Sequence, residues 1–195
     1  MYELTDECSM ERSIQAMKSA LIELILDQGY DQVTLSDIVR KAGIHPDTFR
    51  EHFADKDALL EQVTSDFLNS LGYALIRPYV RSRSLHAKQM AAEALRIFRH
   101  IYEHRQVFQA LLAAPANLYQ RLYSRIRSHQ STTIRLLSDQ PEEIDDDLMI
   151  SYTITTALGL VMEWARQGFK ATAADMVRQL NELVGSRLGK PVCRP

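Results

Sequence analysis

One stretch limits what this chain can fold into more than any other: residues 34–56, TLSDIVRKAGIHPDTFREHFADK. Leu35, Ile38, Val39 and Ala42 fall at i, i+3, i+4 and i+7, the spacing of one helix face. Thr34 with Asp37 three residues on gives the capping-box pattern at its start. Gly43 stands where a helix end needs a left-handed residue. A second helix must begin almost at once. Pro46 suits its first turn, His45 is placed as its cap, and Ile44 with Phe49 forms a hydrophobic staple around it. Phe49 and Phe53, four apart, turn towards the first helix. His45, Pro46, Asp47, Thr48, Arg50 and Glu51 are left at or near the outer surface. Two short crossed helices on a glycine turn, the second polar outside, form a helix-turn-helix.

The rest of the chain supports an all-α fold. Only 7 Gly and 6 Pro in 195 residues favour long helices over many turns. A stripe of Ile14, Met17, Leu21, Leu24 and Ile25 predicts a first helix ending at Gly29, which packs behind the helix-turn-helix to make a three-helix head. Asp55 caps a fourth helix carrying Leu59, Leu60, Val63, Phe67, Leu71 and Leu75, and Pro78 stops it. The basic segment RPYVRSRS reads as a solvated loop. Further helices follow: one through Met90, Ala94, Ile97, Ile101 and Tyr102, a short one over Val107–Ala113, and one through Leu118, Leu122, Ile126, Ile134 and Leu137. The acidic turn QPEEIDDDL complements a helix dipole rather than forming a cation site. The helix after it, Leu148–Gln167, is apolar nearly all round between Ile154 and Ala165, as a core or interface helix must be. Thr172 and Asp175 cap the last helix, with Met176, Leu180, Leu183 and Val184. The pattern predicts about nine helices, with a head over 1–54 and a larger helical body over 55–195.

Charge argues against a simple electrostatic DNA binder. The net charge is −2, and the first 60 residues hold twelve acidic against six basic side chains. A nucleic-acid-binding head is ordinarily basic. Within residues 34–56 the balance is four against four, so any DNA surface must come from the placement of a few cations. No apolar run reaches the ~20 residues of a membrane span. The polar, acidic N-terminus does not have the form of a secretory leader. Cys8 and Cys193 have no metal-ligand spacing and suit a reducing cytoplasm, the expected location.

The residues from Ala20 to Leu60 resemble the DNA-binding head of the tetracycline-repressor (TetR) family. The resemblance is carried by Gly29, Tyr30, Thr34, Leu35, Ile38, Ala42, Gly43, Ile44, Thr48, Phe49, His52, Phe53, Lys56 and Leu59. The stretches IYEHRQVFQALL and Trp164-x-x-x-Gly168-Phe169 resemble one C-terminal subtype, the branch that includes dihydroxyacetone-kinase regulators. The resemblance implies that Thr34, Thr48, His52 and Lys56 anchor phosphates, and that His45, Pro46, Asp47, Arg50 and Glu51 lie nearest the bases. Three positions depart from the family pattern. Val39 replaces a common Ala. His45 stands where Ser or Thr usually caps. Arg50 replaces a usual Tyr, and could bind phosphate or read guanine. Asp47 and Glu51 would repel phosphate, or accept from cytosine N4.

Chemistry of other kinds is weak. His100 and His104 have the i, i+4 spacing of two metal ligands, but Glu103 is misplaced for a metalloprotease, so they read as a surface or core pair. No phosphate loop or nucleophile motif is present, and neither a cofactor nor a metal is expected. Phe98, Tyr102, Phe108, Tyr119, Tyr123, Tyr152 and Trp164 read mostly as core, with some lining an effector cavity. Ile154, Leu158, Val161, Met176, Leu180 and Leu183 are the residues expected at a homodimer interface, because the Leu148–Gln167 helix offers more apolar surface than one core can use. The expected function is a sequence-specific transcriptional regulator on a near-palindromic operator, a repressor released by a small molecule and without enzymatic activity. The alternatives are control by a protein partner, activation instead of repression, or a helical enzyme or carrier using the head only for packing.

Overall fold

The computed structural model describes residues 3–75, 86–134 and 146–188. Among these are nine α-helices and no strand: α1 Glu3–Gln28, α2 Leu35–Ala42, α3 Pro46–His52, α4 Lys56–Leu75, α5 His86–Glu103, α6 Arg105–Ala113, α7 Leu118–Ile134, α8 Asp146–Arg166 and α9 Ala173–Leu188. The segments RPYVRSRS and QPEEI, with Pro78 and Leu137, lie outside the described residues. A 3-10 turn, Tyr30–Gln32, follows α1; no periodic signal in three residues could announce it.

The helices form two compact units. The first is Met1–Phe67 with Gln106–Leu118. Within it α1 packs on α2 and α3, and Met17, Leu21 and Ile25 of α1, Ile38 of α2 and Phe49 of α3 are all buried. Thus the unit extends beyond the three-helix head to the first part of α4 and most of α6. Phe67 and Phe108 meet there with ring centroids 6.0 Å apart. The second unit is Leu68–Arg105 with Tyr119–Pro195. In it α9 packs on α5 and on α8.

Two local devices recur. Thr34 and Thr172 each open a helix with a reciprocal box. Asp37 N donates to Thr34 Oγ1 at 3.2 Å and Thr34 N to Asp37 Oδ2 at 3.1 Å. At α9 the matching distances to Asp175 are 3.2 and 3.4 Å. An arginine three residues further on, Arg40 or Arg178, then pairs with the same carboxylate. The second device closes helices. Gly43, at φ 67°, donates to Arg40 O while Ile44 N donates to Val39 O. Gly168, at φ 73°, donates to Ala165 O while Phe169 N donates to Trp164 O. Both are Schellman ends, in which a left-handed residue satisfies carbonyls that the helix leaves open.

Candidate nucleic-acid interface

The helix-turn-helix is built from its caps inwards. The capped α2 ends in the Gly43 turn, and His45 starts α3 by accepting from Asp47 N through Nδ1 at 3.3 Å. Phe49 is fully buried and Phe53 nearly so, with their rings 5.8 Å apart. That fixes the rotation of α3, and His45, Pro46, Asp47, Arg50 and Glu51 emerge exposed on its other side. Thr48 and His52 are half-buried, and the His52 ring meets the edge of Phe53 at 6.5 Å. Thr34 is exposed, but its hydroxyl is engaged, donating to Asp37 Oδ2 at 2.6 Å.

Lys56 is placed differently from a free phosphate anchor. Its ammonium donates to Tyr30 O at 3.1 Å and to Val33 O at 2.9 Å, and lies 4.5 Å from the centre of the Tyr30 ring. The Tyr30 hydroxyl donates to Asp57 Oδ1. Burial, and after it the bond to Asp57, pushes the Tyr30 phenol above its ordinary pKa. Lys56, Tyr30 and Asp57 together fasten the 3-10 turn to the start of α4. Asp57 and the structural role of Tyr30 were missed at the sequence level. The Gly29-Tyr30 pair was the signal available, but a partner 27 residues away leaves no local trace.

Carboxylates neutralise most of the head's cations internally. Lys18 pairs with Asp66 at 2.6 Å, Arg40 with Asp37, Lys41 with Glu23 at 2.9 Å and Asp27 at 3.6 Å, and Arg50 with Asp47 at 3.2 Å. The bond to Glu23, foremost, raises the Lys41 pKa. Ion pairs therefore engage Arg40, Lys41 and Arg50 within the head and Lys18 with α4, and the excess of acidic side chains remains.

Family models resolve what such a head belongs to. Residues 19–63 match the model described as bacterial regulatory proteins, tetR family. Residues 89–186, half of the chain, match a transcriptional regulator C-terminal region of the same family. The chain belongs to the TetR family. Its relatives include YxbF of Bacillus subtilis (strain 168), an uncharacterized HTH-type transcriptional regulator, 21% identical over 91% of this chain and 46% of YxbF. This TetR-family chain thus spans about half the length of that curated relative. A TetR transcriptional regulator from Streptococcus agalactiae 2603V shares its fold with a TM-score of 0.66, at 18% identity over 93% of this chain and 98% of that one. The dihydroxyacetone kinase operon activator DhaS does so with a TM-score of 0.57, at 18% identity over 90% and 95% of the two chains.

In the body of this TetR-family protein the aromatic residues separate. Trp164 is buried at the centre of one cluster, with Phe98 at 5.7 Å, Tyr102 stacked at 5.7 Å and Phe169 edge-on at 4.9 Å. Its indole N–H donates to Ala171 O at 3.0 Å. Phe169 belongs to this cluster although it was not among the expected cavity residues. Phe108 does not: it lies in the first compact unit against Phe67. Tyr123 joins a polar group, donating to Ser151 Oγ at 3.1 Å and accepting from Arg127 at 3.2 Å, and these bonds lower its pKa. Tyr119 is exposed and Tyr152 half-buried. The His100 and His104 rings lie 4.3 Å apart, tilted by 31°, with His100 Nε2 3.2 Å from Ser70 Oγ. No group of three or more metal-ligating side chains occurs among the described residues, and none of their helices is long and apolar enough to cross a membrane.

The expected interface residues need correction. Ile154, Leu158 and Val161 are each 1% exposed, and Met176 and Leu180 5%, within the single chain. The subunit's own core consumes these five, so they offer no surface to a second copy. Leu183, 45% exposed, is the one of the six that remains outside.

Proposed function

We propose that the protein is a sequence-specific DNA-binding transcriptional regulator that acts in the cytoplasm as a homodimer on a near-palindromic operator. The observation that carries this is the rotation of α3. Buried Phe49 and Phe53 turn His45, Asp47, Arg50 and Glu51 outwards together, on a helix capped at the turn of a helix-turn-helix. A helix so presented fits the major groove, where base edges can be distinguished. Residues 1–54 supply recognition and residues 55–195 dimerisation and signal reception, and regulation, not catalysis, is the activity proposed.

Control is by population shift. An effector that prefers a body conformation with wrongly spaced heads lowers operator affinity by its differential binding to the two states. The Trp164 cluster, with half-exposed Tyr102 at its edge, is the proposed place for an apolar or aromatic small molecule. Release of a repressor is the favoured output. The name of DhaS, an activator, makes activation the second reading.

The test is selection. Purified protein is incubated with a random-sequence duplex pool, bound DNA is isolated by gel retardation and sequenced. Enrichment of two related half-sites in inverted orientation is expected. Recovery of DNA without sequence enrichment would reject the reading.

A further inference from the structure

Asp47 is an acidic side chain on the face that the proposed function turns towards a polyanion. Its position therefore needs a reason. Its carboxylate lies between two neighbours: Oδ1 accepts from Arg50 Nη1 at 3.2 Å, and Oδ2 lies 3.3 Å from His45 Nδ1. Its backbone N–H is also the donor to His45 Nδ1. The three side chains are all mostly exposed, at 65–73%, so this arrangement is not a by-product of burial. It rests on chain geometry: Asp47 and Arg50 are i and i+3 on one helix face, and His45 is the cap of that helix.

We infer that Asp47 is a positioning residue for specificity: it holds the Arg50 guanidinium in place so that its remaining N–H donors meet a guanine edge in the major groove. The inference rests on the proposed DNA-binding reading. An arginine fork presents several donors in one plane, and one edge can be occupied by a carboxylate while another is offered to guanine O6 and N7. A free arginine side chain loses rotamer freedom on binding, which weakens a contact by roughly two- to tenfold. One already held by Asp47 loses less, and only the operator with guanine in reach benefits. The same carboxylate repels phosphate, which disfavours non-specific binding and steers Arg50 away from the backbone. Asp47 thus raises the ratio of specific to non-specific affinity from both sides.

The experiment uses the full-length protein and the duplex that wild type enriches from a random pool, with single-base variants at every pair. Arg50→Ala first identifies the pair it reads, by the loss of guanine preference there. Asp47→Ala should lower guanine preference at that same pair by roughly two- to tenfold per half-site, while binding to unrelated duplex stays level or rises. Asp47→Asn, which keeps an acceptor oxygen for Arg50, should retain more of the preference than Asp47→Ala. In an Arg50→Ala background, Asp47→Ala should not change discrimination at that pair, as a shared function requires. Thermal unfolding followed by circular dichroism should place the variants close to wild type, since both side chains are exposed. An unchanged guanine preference in Asp47→Ala would overturn the inference. So would a uniform loss across all variants, or a loss at a different base pair, which would make Asp47 a reader in its own right. Failure of wild type to enrich any sequence would instead remove the DNA-binding reading, and this inference with it.

Discussion

Thr34 and Thr172 open different helices with the same partners, an aspartate three residues on and an arginine three beyond that. Hydrogen bonds from threonine, and then the arginine, hold both Asp37 and Asp175 below the ordinary carboxylate pKa. A depressed folded-state pKa contributes stability above the unfolded value and loses it as pH falls through the folded one. The stability difference between wild type and Asp37→Asn should therefore be full near neutral pH and shrink below about pH 4, as measured by urea unfolding across that range. Thr34→Ala should cost roughly 0.5–2 kcal/mol at neutral pH by the same method. These boxes could be read from the sequence because their partners are three residues apart. The grip of Lys56 and Asp57 on the Tyr30 turn could not, because burial and a distant neighbour create it.

At the scale of elements, Gly43 and Gly168 show why a glycine can matter without any crowding. A Cβ added at Gly43 would meet nothing within 4 Å, so the strain is conformational. Gly43→Ala should destabilise the head by about 1–2 kcal/mol, the cost of a left-handed alanine, visible as a lower midpoint in chemical unfolding. Gly72 is the opposite case. Its backbone is ordinary, but an added Cβ would collide with the Arg125 guanidinium. Helix α8 marks the limit of pattern reading. Its apolar character between Ile154 and Ala165 reads as a helix that leaves water on every side, yet the subunit's own core covers only one face, with Ile154, Leu158 and Val161, while Thr155 and Gly159 are exposed and Leu160 and Met162 half-buried. Leu158→Ala should therefore act on folding, costing roughly 2–5 kcal/mol in unfolding experiments, with the oligomeric state of the folded fraction unchanged in light scattering.

For the whole molecule, the cations nearest the proposed DNA surface are already engaged, Arg50 by Asp47 and Lys56 by the carbonyls of Tyr30 and Val33. Binding must break or share those contacts, so few counterions are released. If Arg50 and Lys56 of each subunit both reach the DNA, Lys56 by releasing the carbonyls of Tyr30 and Val33, the log–log salt slope should be about −4 or shallower. A steep slope, near −10, would show that cations outside the head carry the affinity. The order of helices and the head were legible along the chain, since local periodicity and caps write them. The division into compact units was not, because α6 joins the first unit across a long separation in sequence.

The burial of Trp164 has a practical consequence. It is the chain's one tryptophan, stacked on Tyr102 and fixed by Ala171 in the second unit. Its intrinsic emission is therefore a label-free gauge of that unit alone, blue-shifted while the indole stays dry. Operator binding that leaves the body unchanged should be silent in this signal, whereas a small molecule entering the cluster should quench or shift it. One fluorimeter trace can thus distinguish a message received by the body from an event confined to the head.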